Sequence, residues 1–276
     1  MLNIGRFNTL KVLRSVDFGY YLDDTEGGEI LMPAKFADNP LSDGDEVRVF
    51  VYTDSSDRLI ATTEKPFAKV GEFAYLQVAE VNRIGAFLDW GLEAKQLLVP
   101  YSEQKAKMMP GGIYLVYVYL DNTTRRVVAS SKVDKYLGNV LPRYDRGDKV
   151  SALITEHTPI GYKCIVDNLH RGMIYQNETF VPLELQNTIE AYVKQVRDDG
   201  KIDLSVRPSG GQRTHSLEEQ IFESLINGTL SVGEKSSPEE IQKAFGCSKR
   251  DFKQAVGHLY KARRIVTVDG VLSLPE

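Results

Sequence analysis

Over most of the chain, apolar residues alternate with polar ones in short runs, the period of half-buried β-strands, and only the C-terminal part changes to a helical period. Three long hairpins stand out: Glu46 to Tyr52 with Leu59 to Thr63, Ile113 to Leu120 with Arg126 to Ser131, and Ile189 to Val196 with Lys201 to Val206. Their turns, Asp54-Ser55-Ser56-Asp57, Asp121-Asn122-Thr123-Thr124 and Asp198-Asp199-Gly200, carry residues that favour chain reversal. Upstream of each hairpin lies a strand with a glycine near its start: Phe18-Gly19-Tyr20-Tyr21-Leu22-Asp23, Ile84-Gly85-Ala86-Phe87-Leu88-Asp89, and Ile160-Gly161-Tyr162-Lys163-Cys164-Ile165-Val166-Asp167. Between strand and hairpin come Ile30-Leu31-Met32-Pro33, Leu97-Leu98-Val99-Pro100 and Gly172-Met173-Ile174-Tyr175. The three glycines lie 66 and 76 residues apart, too far for a solenoid unit and right for a small domain. Five short strands per repeat, with no long amphipathic helix among them, predict a small closed barrel.

From about Ser216 the period changes. Leu217, Ile221, Phe222 and Leu225 recur at helical spacing, Pro238 to Phe245 reads as a second helix ended by Gly246, and Ser248-Lys249-Arg250-Asp251 opens a third with a capping signal. The third helix has an apolar stripe of Phe252, Val256, Leu259 and Tyr260. Ile265 to Val268, Asp269-Gly270 and Val271 to Leu274 then read as strand, turn and strand. Three helices and a hairpin make a winged helix. The expected fold is mainly β and multidomain, with barrels at 1–67, 68–138 and 139–209 and the winged helix at 216–276.

Composition narrows this picture only modestly. The chain has 276 residues, 42% hydrophobic and 26% charged, which excludes disordered and fibrous classes. Cys164 and Cys247 fall in different segments and predict neither a disulfide framework nor a metal cluster. The start lacks a signal-like charged and apolar pattern, and no stretch is apolar for long enough to span a bilayer, so a cytoplasmic protein with no membrane partner is expected.

These residues carry a resemblance. The repeats resemble S1 domains, OB-fold barrels in which a Phe-Gly-x-Phe strand and a following segment form an RNA-binding face. The run Gly85-Ala86-Phe87-Leu88-Asp89-Trp90-Gly91-Leu92, with Leu97-Leu98-Val99-Pro100 and the order of three barrels and a winged helix, is similar to the conserved virulence factor B family of bacterial RNA-binding proteins. The resemblance covers nearly the whole chain. It implies three tandem S1-like OB-fold barrels, cytoplasmic RNA binding with regulatory consequences, and no known catalytic residues.

A physical basis for such a face exists independently of the resemblance. Bases of single-stranded RNA stack on exposed aromatics for ~1–3 kcal/mol each with little sequence preference. A glycine within the strand permits a bulge or a close backbone approach that turns residues three apart onto one face. Phe18 and Tyr21 have that spacing, Ile84 and Phe87 have it in weaker form, and in the third repeat the pair becomes Ile160 and Lys163. Tyr175 takes the position where S1 domains often carry His, filled in the first two repeats by Pro33 and Pro100. Tyr20, Phe87 and Tyr162 divide evenly between core and stacking roles. Trp90, beside Gly91 in a turn, is expected either to be partly exposed or to pack between neighbouring barrels.

Charge separates the repeats. Residues 1–67 have seven Lys and Arg against twelve Asp and Glu, a net −5; residues 68–138 have nine against seven, 139–209 nine against ten, and the remainder nine against nine. Phosphate contacts dominate nucleic-acid affinity, so the second and third repeats are expected to lead. Candidate contacts are Arg83, Lys105, Lys107, Arg125, Arg126 and Lys132 in the second, and Lys163, His170, Arg171 and Arg207 in the third. In the winged helix, Lys249, Arg250 and Lys253 lie at the start of the third helix, where a recognition helix meets nucleic acid, and Arg263 and Arg264 lie at its exit.

A catalytic role is not expected. The four histidines form no ligand-spaced pair, and neither an acidic cluster for Mg²⁺ nor a Gly-rich phosphate loop occurs, so no metal, cofactor or catalytic residue is assigned. The expected partner is single-stranded RNA. Two alternatives stand beside it: a transcription regulator whose winged helix binds duplex DNA, and an adaptor to the ribosome or RNA polymerase that uses the barrels for protein contacts.

Overall fold

A computed structural model describes residues 2–179, 182–208, 210–233, 235–268 and 271–275. It divides into two compact units, the first comprising residues 1–141 with 167–170 and 185–187, the second the remainder.

The first barrel is built from β1 (Arg6–Val16), β2 (Gly19–Asp23), β3 (Glu29–Pro33), β4 (Glu46–Thr53) and β5 (Leu59–Thr62). The sheet closes in the order β1-β2-β3-β5-β4, with β3 and β5 parallel. Alternation puts Leu10, Val12, Leu22, Ile30, Met32, Val49, Val51 and Ala61 inside it. The second comprises β6 (Phe73–Val81), β7 (Gly85–Leu92), β8 (Lys95–Pro100), β9 (Ile113–Leu120) and β10 (Val127–Ser130). Its order β10-β9-β6-β7-β8 is the same circuit cut between β8 and β10, which lie side by side. The expectation of three closed barrels therefore holds for the first and third, while the second is a barrel-like sheet.

The first two barrels share a core. Strand β4 is buried on both faces: Val49 and Val51 point into its own barrel, whereas Phe50 and Tyr52 join Leu88, Trp90, Leu97 and Val116 in one apolar cluster. Trp90 is the largest side chain there, 1% exposed, with its ring centroid 5.4 Å from that of Phe50. Its Nε1–H donates to the Ala68 carbonyl at 2.6 Å, which satisfies the one polar atom that burial would otherwise strand. Of the two placements expected for Trp90, the structure shows packing between barrels, and this residue is withdrawn from the RNA-contact set.

In the third barrel, β11 (Lys149–Thr158), β12 (Gly161–Val166), β13 (His170–Tyr175), β14 (Thr188–Val196) and β15 (Ile202–Ser205) close in the order β11-β12-β13-β15-β14, matching the first barrel strand for strand. The interior holds Val150, Ala152, Ile154, Cys164, Ile174 and Leu204 among others.

Helices α1 (Gly210–Ile226), α2 (Pro238–Phe245) and α3 (Lys249–Lys261) precede the short hairpin of β16 (Val266–Val268) and β17 (Val271–Ser273). The Asp269-Gly270 turn lies outside the described residues. Helix α1 starts several residues before the helical period becomes visible at Ser216. The reciprocal capping box falls on α2, between Ser237 and Glu240, and Ser248 caps α3 by accepting from the Asp251 N–H at 3.2 Å. Ile221, Ile241, Phe252, Val256 and Leu259 form the core expected of the stripe, although Tyr260 is 56% exposed and belongs to the surface. No helix among the described residues is long and apolar enough to cross a membrane.

Candidate nucleic-acid interface

The repeated glycine has one cause in all three barrels. A Cβ built on Gly19 would lie 2.2 Å from the Met32 carbonyl oxygen, on Gly85 2.3 Å from that of Val99, and on Gly161 2.2 Å from that of Ile174. No side chain fits that distance, so only glycine permits the close approach of the two strands. The residue before each glycine is anchored identically, its carbonyl accepting from the backbone N–H of Ala34, Tyr101 or Gln176. Opposite, β1, β6 and β11 each carry a bulge, at Val12/Arg14, Val78/Glu80 and Ile154/Glu156. On the turn side of each bulge Arg14 stands opposite Tyr21, Glu80 opposite Phe87 and Glu156 opposite Lys163, and beyond it the register shifts to pair Val12 with Leu22, Val78 with Leu88 and Ile154 with Cys164.

One backbone geometry thus carries three different chemistries. On the first barrel Phe18 is 59% exposed and meets Tyr21 edge to face, with centroids 6.3 Å apart. The Arg14 guanidinium lies 3.8 Å from the Tyr21 ring centroid and pairs with Glu29 at 2.7 Å. That hydrogen bond raises the Arg14 pKa and lowers that of Glu29, so both stay charged near neutrality. On the second barrel the corresponding face presents Ile84, 51% exposed, half-buried Phe87, and Tyr101, whose hydroxyl donates to the Asn82 carbonyl at 2.6 Å. On the third, Ile160 is 62% exposed, Lys163 is paired with Glu156 at 2.9 Å, and Tyr162 is buried with its ring against His157. Of the three undecided aromatics, Tyr162 is core, whereas Tyr20 and Phe87 are half-buried.

The cations sort into open and engaged. Arg83, Lys107, Arg125 and Lys132 are exposed and make no ion pair among the described residues. Lys105 faces Asp134 at 3.4 Å, an exposed pair of the kind worth ~0–1 kcal/mol, which opens readily. Four expectations require correction. Arg126 is engaged in a two-pronged ion pair with Asp57 of the first barrel, so it ties the two barrels together. His170 is only 3% exposed, and burial pushes its imidazole pKa below the usual value, so it is neither accessible nor cationic near neutrality. Lys249 turns back to donate to the Ser236 carbonyl at 2.7 Å instead of projecting from α3. Arg264 lies flat against Phe222 of α1, 3.9 Å from the ring centroid. Arg171 and Arg207 are half-buried. The Tyr175 hydroxyl accepts from Arg197, which also holds Asp203, so Tyr175 is built into a side-chain network.

On the winged helix, Arg250, Lys253, Lys261 and Arg263 are exposed and leave a basic stripe along α3 and its exit. Sequence reasoning missed Arg14 and Tyr101. Arg14 could have been found from hairpin register, since a two-residue reversal at Asp17 and Phe18 pairs Val16 with Gly19, Ser15 with Tyr20 and Arg14 with Tyr21.

Residues 4–64 and 70–131 match the S1 domain model, and residues 219–274 match the CvfB-like winged helix domain. The chain carries S1 domains and a CvfB-like winged helix. The S1 domains coincide with the first two barrels, and the third barrel repeats their strand order. The uncharacterized protein YitL of Bacillus subtilis is 28% identical over 279 residues, covering 96% of this chain and 92% of its own. Conserved virulence factor B of Staphylococcus aureus is 27% identical over 246 residues, covering 86% and 82%. A crystal structure described as a multidomain protein with nucleic acid binding domains, from Streptococcus pneumoniae, aligns over 99% of this chain and 98% of its own, at 22% identity and a TM-score of 0.42. S1 and winged-helix domains are of nucleic-acid-binding, non-enzymatic kinds, and nucleic-acid binding is the activity class to which this chain is assigned.

Proposed function

We propose that this is a cytoplasmic, non-catalytic protein that binds single-stranded RNA and acts as a post-transcriptional regulator of gene expression, in a virulence-related setting as the name of its staphylococcal relative indicates. The observation that carries the reading is the Phe18, Tyr21 and Arg14 cluster: two adjoining aromatics, one widely exposed, beside a guanidinium on an S1 barrel. Bases stack on the rings, while Arg83, Lys107, Arg125 and Lys132 of the second barrel supply phosphate contacts that the acidic first barrel lacks. Stacking on the first barrel and charge on the second divide the work, which modifies the expectation that the second and third repeats lead. The exposed Arg250, Lys253 and Lys261 favour a second reading in which α3 binds duplex DNA.

Fluorescence anisotropy with single-stranded RNA and duplex DNA of equal length, at two salt concentrations, separates the two. RNA binding that weakens with salt and with Phe18→Ala supports the first reading. Preferential duplex binding lost in an Arg250→Glu, Lys253→Glu variant would replace it with the second, and binding to neither would favour an adaptor that contacts the ribosome or RNA polymerase.

A further inference from the structure

A cavity on the first barrel has none of Phe18, Tyr21, Arg14 and Glu29 in its lining. It occupies about 360 Å³ between the start of β1, β4 and the segment after β3, within the ~300–1,000 Å³ range of small-molecule sites.

The lining has the parts that a nucleotide needs. Phe7, Leu41 and Val47 give it apolar walls, and Phe7 is held edge-on to Phe50 of the shared core at 5.5 Å between centroids. The Arg48 guanidinium carbon lies 4.9 Å from the Phe7 centroid, and a guanidinium plane is a surface on which a base can stack. Arg48 and Lys65 bring two cations against the single carboxylate of Asp38, and neither cation makes an ion pair among the described residues. Asn39 and Asp38 offer an amide and a carboxylate, which suit base-edge and ribose hydroxyl groups.

We propose that this cavity binds one nucleotide unit, its base against Arg48 and Phe7 and its phosphate at Lys65. The occupant's chemistry is that of a nucleoside phosphate, whether free or at the end of an RNA chain. The site is independent of the Phe18 face, and the two stand or fall separately.

The test titrates the full chain calorimetrically with adenosine monophosphate, ribose 5-phosphate and inorganic phosphate, and by anisotropy with a short single-stranded RNA. The comparison is among wild type and Arg48→Ala, Arg48→Lys, Lys65→Ala and Phe18→Ala. Both alanine variants at the cavity weaken adenosine monophosphate binding or RNA binding by at least about tenfold, and the responding arm identifies the source. Arg48→Lys fails to restore binding because it keeps the charge without the planar stack, and Phe18→Ala leaves the mononucleotide arm unchanged. Three results overturn the proposal: both arms unaffected by Arg48→Ala and Lys65→Ala, ribose 5-phosphate or phosphate binding as tightly as the nucleotide, or full rescue by Arg48→Lys.

Discussion

Strands β2, β7 and β12 start from the same glycine, meet the same crowded carbonyl and face the same bulge, yet they deploy their aromatic residues in three ways. The first turns Phe18 and Tyr21 to the surface. The second extends to Trp90, which is buried against Phe50 and Tyr52 of the first barrel. The third buries Tyr162 and neutralises Lys163 with Glu156. The backbone device fixes where side chains point, and the side chains decide whether that position binds a ligand, joins two barrels or does neither.

The largest effect is expected where the device joins barrels. Trp90→Ala leaves a large void in the shared core and strands the Ala68 carbonyl, so it should cost about 3–5 kcal/mol in urea unfolding. A loss below ~1 kcal/mol would mean that the two barrels do not depend on a common core. Next come the glycines. Gly19→Ala and Gly161→Ala should each cost about 2–3 kcal/mol, because an added Cβ must displace the backbone of β3 or β13. Unequal losses would break the claim that one geometry underlies both strands.

Much of this was legible in the sequence, for identifiable reasons. Repetition exposed the barrels, since the glycines and the hairpins recur in one order, and helical period with capping residues exposed the winged helix. The joining of the first two barrels was harder to read. Val47 to Thr53 is a nearly continuous apolar run, the signature of a strand buried on both faces, but it names no partner for the outer face. Site residues were least legible, because the side chain opposite Tyr21 follows from where the reversal at Asp17 and Phe18 falls, and no strong turn signal marks it. Likewise, Lys249 and Arg264 were assigned outward by position alone, while hydrogen bonding to Ser236 and stacking on Phe222 turn them inward.

The functional half of the comparison is tested by a matched pair. Phe18→Ala should weaken single-stranded RNA binding by ~1–3 kcal/mol, the value of one base stack, whereas Ile160→Ala at the equivalent anchored position should change it by less than about 0.5 kcal/mol. Equal losses would show that exposure at this position matters more than aromaticity.

The smallest effect concerns the inward side of the same strands. Cys164 occupies the place of Leu22 and Leu88, and burial alone pushes its thiol pKa up to about 12 from an ordinary 9.0. Between those values the unfolded chain releases a proton that the folded chain retains, so this group stabilises below pH 9 and its contribution is lost as pH rises. Wild type should therefore lose about 1.4 kcal/mol more than Cys164→Ala between pH 8 and pH 10 in paired denaturant titrations. The native thiol should also resist iodoacetamide at pH 8, because the thiolate is the nucleophile and the buried site holds almost none of it. Prompt alkylation of the folded chain, or parallel pH profiles, would place Cys164 outside the core position that its two leucine counterparts define.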